Sequence, residues 1–345
     1  MILPHQITWQ SFPFWMAFIG NIMKYLLLIF SFHFCTSVFA YECHSKYLPS
    51  NVEQGTKKNI HQGVIFVEPP YAGFDPCNSS VDIKISVESD TFILVLHGSG
   101  GADENQKEVA RRFKNEGFSV LSFDSFLMNK LSKNSLYWST QVHQSSTSRM
   151  IYFSGLAALK WISKNHPDKS KKIFVYGHSL GGMAAINLAA TNGIDSLVKV
   201  IAEAPGETGI GLPDKLLKPV YIFYGNQDNY GGRTLDEFLW NRKSFCLWNA
   251  PSENTPSGNV ASCNYSQFIW GSRAQSVSEY VTQQQKAGSE VSLVFFDDAA
   301  HAIFNGKNID TQIRTTPSGI KFYSSLGSKS GVADKVFEDI LLQLK

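Results

Sequence analysis

Short apolar stretches alternate with amphipathic ones along most of the chain. Val64–Val67 and Val81–Val87 read as early strands, the second with Val81, Ile83, Ile85 and Val87 in a period-two pattern. Thr91–Leu96 (TFILVL) is apolar throughout, as a strand buried on both faces requires. Asp103–Asn115 is polar and helical and stops at Glu116-Gly117. Phe118–Phe123 is the next strand, and a Ser/Thr/Asn/Gln-rich loop covers Ser125–Ser148. Arg149–Asn165 places Met150, Phe153, Ala157 and Trp161 on one helical face and ends before Pro167. Strands follow at Lys172–Tyr176, Val198–Ala202, Val220–Tyr224 and Val291–Phe296, with helices at Leu180–Ala190 and Ser272–Lys286. The chain closes on an amphipathic helix with Val332, Val336, Phe337, Ile340, Leu341 and Leu344 on one side. This alternation predicts an α/β fold, a mostly parallel central sheet flanked by helices. Its strand C-termini share one edge, where sites form. The stretch between the strand ending at Tyr224 and the helix at Ser272 is long and rich in aromatics, among them Tyr230, Trp240, Trp248 and Trp270. It predicts an insertion over residues 229–271, a lid between that strand and the last one.

Composition changes this picture mainly at the start of the chain. Residues 1–40 hold one charged side chain, Lys24, followed by the apolar run Tyr25–Phe34 and by Val38-Phe39-Ala40, small at both positions a signal peptidase reads. That predicts a leader over 1–40, with the signal peptide proper in 23–40, Met23 as the better start and cleavage before Tyr41. The mature chain would be one domain, residues 41–345, secreted or periplasmic and without stable membrane insertion. A retained anchor is the alternative, because the apolar stretch counted from Phe12 reaches the ~20 residues of a membrane span. Cys35 leaves with the leader; Cys43, Cys77, Cys246 and Cys263 remain for an oxidising compartment. The sequence-local pairing, Cys43–Cys77 and Cys246–Cys263, would pin two turn-rich stretches. No CxxC or CxxH spacing occurs, so no metal is expected. Lys and Arg number 31 against 29 Asp and Glu, and no basic run breaks that balance, which excludes a nucleic-acid partner.

The candidate chemistry falls on strand ends. Gly177-His178-Ser179-Leu180-Gly181 matches G-x-S-x-G between a strand and a helix, the context of a nucleophile elbow. The small flanking residues let a sharp turn lift Ser179 above the sheet edge, beside the positive end of a helix. His97-Gly98-Ser99-Gly100-Gly101 follows strand TFILVL directly, and a glycine-rich turn there can aim an amide at a substrate carbonyl. Ser99 is the predicted donor, with Gly100 as alternative, and Leu180 the second donor; His97 reads as structural. The base is expected on the loop after the last strand, at His301, since His44, His61 and His166 fall elsewhere and His178 should point away from the Ser179 hydroxyl by strand alternation. Asp228, just past strand VYIFY, is the candidate acid, with Glu203, Glu207, Asp297 and Asp298 as rivals.

These motifs together resemble the α/β-hydrolases, and are most similar to the dienelactone-hydrolase-like and prolyl-oligopeptidase-like branches. The likeness runs from about Phe92 to Lys345 and rests on the HGxGG turn, the GHSLGG elbow, the GxxD turn and the late histidine. It implies an α/β-hydrolase fold and cofactor-free acyl transfer by Ser179, His301 and Asp228. Dienelactone hydrolases proper use a cysteine nucleophile, whereas this chain has Ser179, which favours ester hydrolysis. The expectation is a secreted carboxylesterase acting on a small-molecule ester with a small or medium acyl group. A prolyl-oligopeptidase-like peptidase and a non-catalytic binding protein on the same scaffold are the competing readings.

Overall fold

The computed structural model describes residues 58–61, 64–67, 73–129, 144–205, 212–230, 277–315 and 321–345, all within the unit Glu42–Lys345. The expectations for the leader, Cys43, Cys246, Cys263, Glu207 and the insertion beyond Tyr230 lie outside the described residues. In chain order the elements are β1 Lys58–His61, β2 Val64–Val67, β3 Val81–Lys84, β4 Thr91–Leu96, α1 Glu104–Asn115, β5 Ser119–Phe123, α2 Ser125–Met128, α3 Gln144–Asn165, β6 Lys172–His178, α4 Leu180–Ala189, β7 Leu197–Glu203, β8 Val220–Gly225, α5 Val277–Lys286, β9 Val291–Phe296, β10 Asp310–Thr315, β11 Lys321–Leu326 and α6 Val332–Gln343.

Seven strands form one sheet in the order β3-β5-β4-β6-β7-β8-β9. Only β3 runs antiparallel to its neighbour, and the other pairings are parallel. Every residue of β4, β5 and β8 is buried, because successive side chains leave opposite faces and both faces are covered. Ile93 and Val95 of β4 join a core with Val109, Ala110 and Phe113 of α1 and Val336, Phe337 and Ile340 of α6. Leu96, one residue on, faces α3 instead: a Cβ added to Gly155 would fall 3.4 Å from it and 3.3 Å from Leu188 of α4. The result is the α/β-hydrolase architecture, a parallel sheet between helical layers with its loops gathered on one edge.

Several local expectations need correcting. Strand β3 stops at Lys84 rather than Val87; the Ser86 N–H turns to the Ser119 hydroxyl at 2.9 Å, and Val87 stands in solvent. The loop expected from Ser125 opens with helix α2, because the Asp124 carboxylate accepts the N–H groups of Phe126 and Leu127, both at 3.0 Å. Helix α3 begins at Gln144, ahead of the expected Arg149. Two antiparallel hairpins, β1–β2 and β10–β11, stand outside the main sheet. Cys77 is the one cysteine among the described residues. No described helix is long and apolar enough to cross a membrane.

Candidate active site

Strand β6 runs straight into α4 through Ser179, which adopts φ 53° and ψ −116°. A positive φ strains an L-residue, so the turn must be held from outside. The Ser179 N–H donates to the Glu203 carbonyl at 2.9 Å, and the Met183 N–H to the Ser179 carbonyl at 3.1 Å. A Cβ added to Gly177 would fall 2.2 Å from the Gly181 carbonyl oxygen, and one added to Gly181 would fall 2.4 Å from that of His97. The two glycines of the motif are therefore required by close backbone approach. Ser179 is buried, at the N-terminus of α4, where the first-turn amides, Leu180 among them, have no intrahelical acceptor.

The glycine turn after β4 lies directly against this elbow. A Cβ on Gly98 would sit 3.2 Å from the Ser179 Cβ. The turn closes with the Gly101 N–H donating to the Gly98 carbonyl at 3.2 Å. His97 fixes it from below. Its Nδ1 lies 2.6 Å from the Gly98 carbonyl, which only accepts, so Nδ1 carries the proton. Its Nε2 then accepts the Ser125 N–H at 3.0 Å and the Ser125 hydroxyl at 2.5 Å. Asp124 adds a second anchor by accepting the Ala102 N–H at 2.8 Å. Ser99 is thus carried on a turn pinned at both ends, and His97 has the structural role its position suggested. The anchors on α2 were missed, because nothing in a Ser-rich stretch marks one serine as a partner of a distant histidine.

Asp228 and His301 meet beside the elbow. His301 Nδ1 donates to Asp228 Oδ2 at 2.9 Å, and both residues are buried. A carboxylate accepts only, so Nδ1 holds the proton and Nε2 is left as a lone-pair base. Asp228 Oδ1 accepts the Tyr230 N–H at 3.0 Å. The acid candidates Glu203, Asp297 and Asp298 are engaged elsewhere. Glu203 accepts from Asn105 at 2.8 Å, from the Tyr176 hydroxyl and from the Ile303 N–H at 2.7 Å. Asp297 accepts from Asn226 at 2.6 Å, and Asp298 pairs with Lys329 at 2.5 Å.

The His178 ring lies against the His301 ring. It lies 4.7 Å from the His301 ring, and a Cβ on Gly98 would fall 2.8 Å from its Nδ1. Both its nitrogens are buried without a hydrogen-bond partner, and burial pushes the imidazole below its ordinary range. Tyr230 stacks on the other aromatic neighbour of this group, the His301 ring, at 4.5 Å and 26° between planes. The His301 loop is braced from behind by two buried acceptors, Glu203 on the Ile303 N–H and Asn105 on the Phe304 N–H at 2.8 Å. In front, the His301 N–H donates to the Ser325 carbonyl at 3.1 Å, and the Ser325 N–H to the Asn229 side chain at 2.8 Å. Among the described residues no group of His, Cys, Asp and Glu side chains is placed to hold a metal ion.

The family model for the dienelactone hydrolase family matches residues 84–241, just under half of the chain. No curated protein matches the sequence. Among solved structures, the chain is similar to an esterase from Pyrococcus furiosus at 19% identity, covering 68% of this chain and 91% of that one with a TM-score of 0.38. It is also similar to a dienelactone hydrolase from Anabaena variabilis at 16% identity, covering 72% and 88% with a TM-score of 0.38. An α/β serine hydrolase without lid from Xanthomonas campestris matches at 14% identity over 64% and 78%, again with a TM-score of 0.38.

Proposed function

We propose that the chain is a serine hydrolase that cleaves carboxylic esters of small or medium acyl groups through an acyl-enzyme. The observation that carries this reading is the buried Ser179 at φ 53°, on a strand-to-helix turn, beside a loop where His301 Nδ1 bonds Asp228. The match to a hydrolase family over residues 84–241 supports it.

In this reading Ser179 Oγ attacks the ester carbonyl carbon as its proton passes to His301 Nε2. The oxyanion that forms is met by main-chain amides of the turn at Ser99 and of Leu180. The tetrahedral adduct collapses, and the departing alkoxide takes the proton from Nε2. Water then attacks the acyl-serine, giving its proton to Nε2, and Ser179 recovers that proton as it leaves. Asp228 holds the productive tautomer throughout and offsets the charge of the transient imidazolium. Export to an oxidising compartment belongs to the same proposal; it rests on the leader pattern of residues 23–40.

The test is hydrolysis of p-nitrophenyl esters from acetate to palmitate by the oxidised protein, with a fluorophosphonate probe alongside. The expected result is one labelled residue, Ser179, and activity that disappears in Ser179→Ala with an optimum at short or medium acyl length. Activity or labelling that survives Ser179→Ala sinks the proposal.

A further inference from the structure

We infer that the rings of Tyr230 and His178 clamp the His301 imidazole, making Tyr230 a positioning residue for acyl transfer, an inference that rests on the serine-hydrolase reading above. The His301 imidazole has an aromatic neighbour on each of two elements. Tyr230 lies on it at 4.5 Å with 26° between planes, and His178 meets it at 4.7 Å with 52°. The bond from Nδ1 to Asp228 fixes one edge of the ring. It does not by itself stop Nε2 from swinging about that edge, and a small displacement of the reacting atom costs much of the rate. A stacked ring resists that swing. Tyr230 also grips the acid, because its own N–H donates to Asp228 Oδ1 at 3.0 Å. One residue thus ties both partners of the pair, the acid by its backbone and the base by its side chain.

The second consequence is electrostatic. Proton transfer from Ser179 turns His301 into a cation, and the face of an aromatic ring attracts a cation. Among the described residues, the charged and titratable groups around His301 include Asp228 and Tyr230 on the loop after β8, His178 at the end of β6, and Glu203 at the end of β7. The Glu203 carboxylate is turned to Asn105, Tyr176 and the Ile303 N–H rather than to the ring. His178 is buried with no partner on either nitrogen, so it offers His301 a neutral ring and not a second positive charge.

The experiment measures the second-order rate of fluorophosphonate labelling of the full chain from pH 5 to 9, for the unsubstituted protein, Tyr230→Phe and Tyr230→Leu. Phenylalanine keeps the aromatic face; leucine keeps apolar cover and loses the face. Tyr230→Phe should reproduce the parent profile. Tyr230→Leu should label about tenfold more slowly, with the inflection of its acid limb moved to lower pH by about half a unit. Tyr230→Met carries the same expectation should the leucine variant fail to fold. A Leu profile that overlays the parent, one that slows without moving its inflection, or a Phe profile displaced as far as Leu overturns the clamp and leaves the hydrolase standing. A parent protein that does not label at all removes the hydrolase reading and the clamp with it.

Discussion

Ser179 holds a backbone conformation that costs an L-residue about 1–3 kcal/mol, and the structure shows what enforces it. Its N–H is fixed to the Glu203 carbonyl, its carbonyl begins α4, and Gly177 and Gly181 leave no room for the chain to relax sideways. Glycine accepts a positive φ without this cost but loses about 0.4–1 kcal/mol through its freer unfolded chain. Ser179→Gly should therefore be more stable than Ser179→Ala by about 1 kcal/mol, read as a higher urea midpoint, although both lose the hydroxyl. Equal midpoints would mean that no strain is stored there. The same backbone limits what strand alternation can say of His178. Alternation places neighbouring side chains on opposite faces only while the strand stays extended. Gly177 and His178 still belong to β6 and Ser179 does not, so alternation said nothing reliable about His178 relative to the serine. The G-x-S-x-G spacing was legible because it encodes clearance, which residue size alone determines.

Between elements, the His301 loop is held by groups that no spacing rule connects. Asn105 on the first turn of α1 and Glu203 at the end of β7 bond to each other at 2.8 Å and together cap the Ile303 and Phe304 amides. The β10–β11 hairpin supplies the Ser325 carbonyl from the other side. Neither was predicted. Asn105 lies in a polar helix whose outward face dominates its pattern, and the hairpin segments DTQIRT and KFYSSL lack a continuous apolar face. The main strands were legible because burial on both faces makes them apolar throughout. Glu203→Gln tests the brace. The carboxylate accepts from three donors, and an amide puts its NH2 against at least one of them. The expected loss is about 2 kcal/mol of stability, from one buried group left unpaired. Labelling of Ser179 should slow about tenfold as the loop two residues after His301 loosens. An unchanged labelling rate at reduced stability would confine Glu203 to holding the fold.

Two of the buried histidines lie at opposite edges of the sheet and respond to acid in the same sense. His178 lies at the active edge. His166 follows α3 at the opposite edge, buried against Phe92 at 6.2 Å and Trp161 at 5.1 Å. Burial is the leading cause that lowers both imidazoles from their ordinary value of 6.5. These two sites therefore bind protons less readily in the folded protein than in the unfolded chain once the pH drops below about 6.5. Stability should be at its plateau above that value and fall as the pH moves down toward the depressed folded values, by at most about 1.4 kcal/mol per pH unit for each histidine. Thermal unfolding midpoints measured between pH 8 and 5 should show a flat region followed by a decline. His166→Gln keeps a polar tip and cannot titrate in this range, so its decline should be shallower than the parent's while its Ser179 labelling at pH 8 is unchanged, because the site lies at the other edge. A decline as steep as the parent's would place the acid sensitivity outside His166.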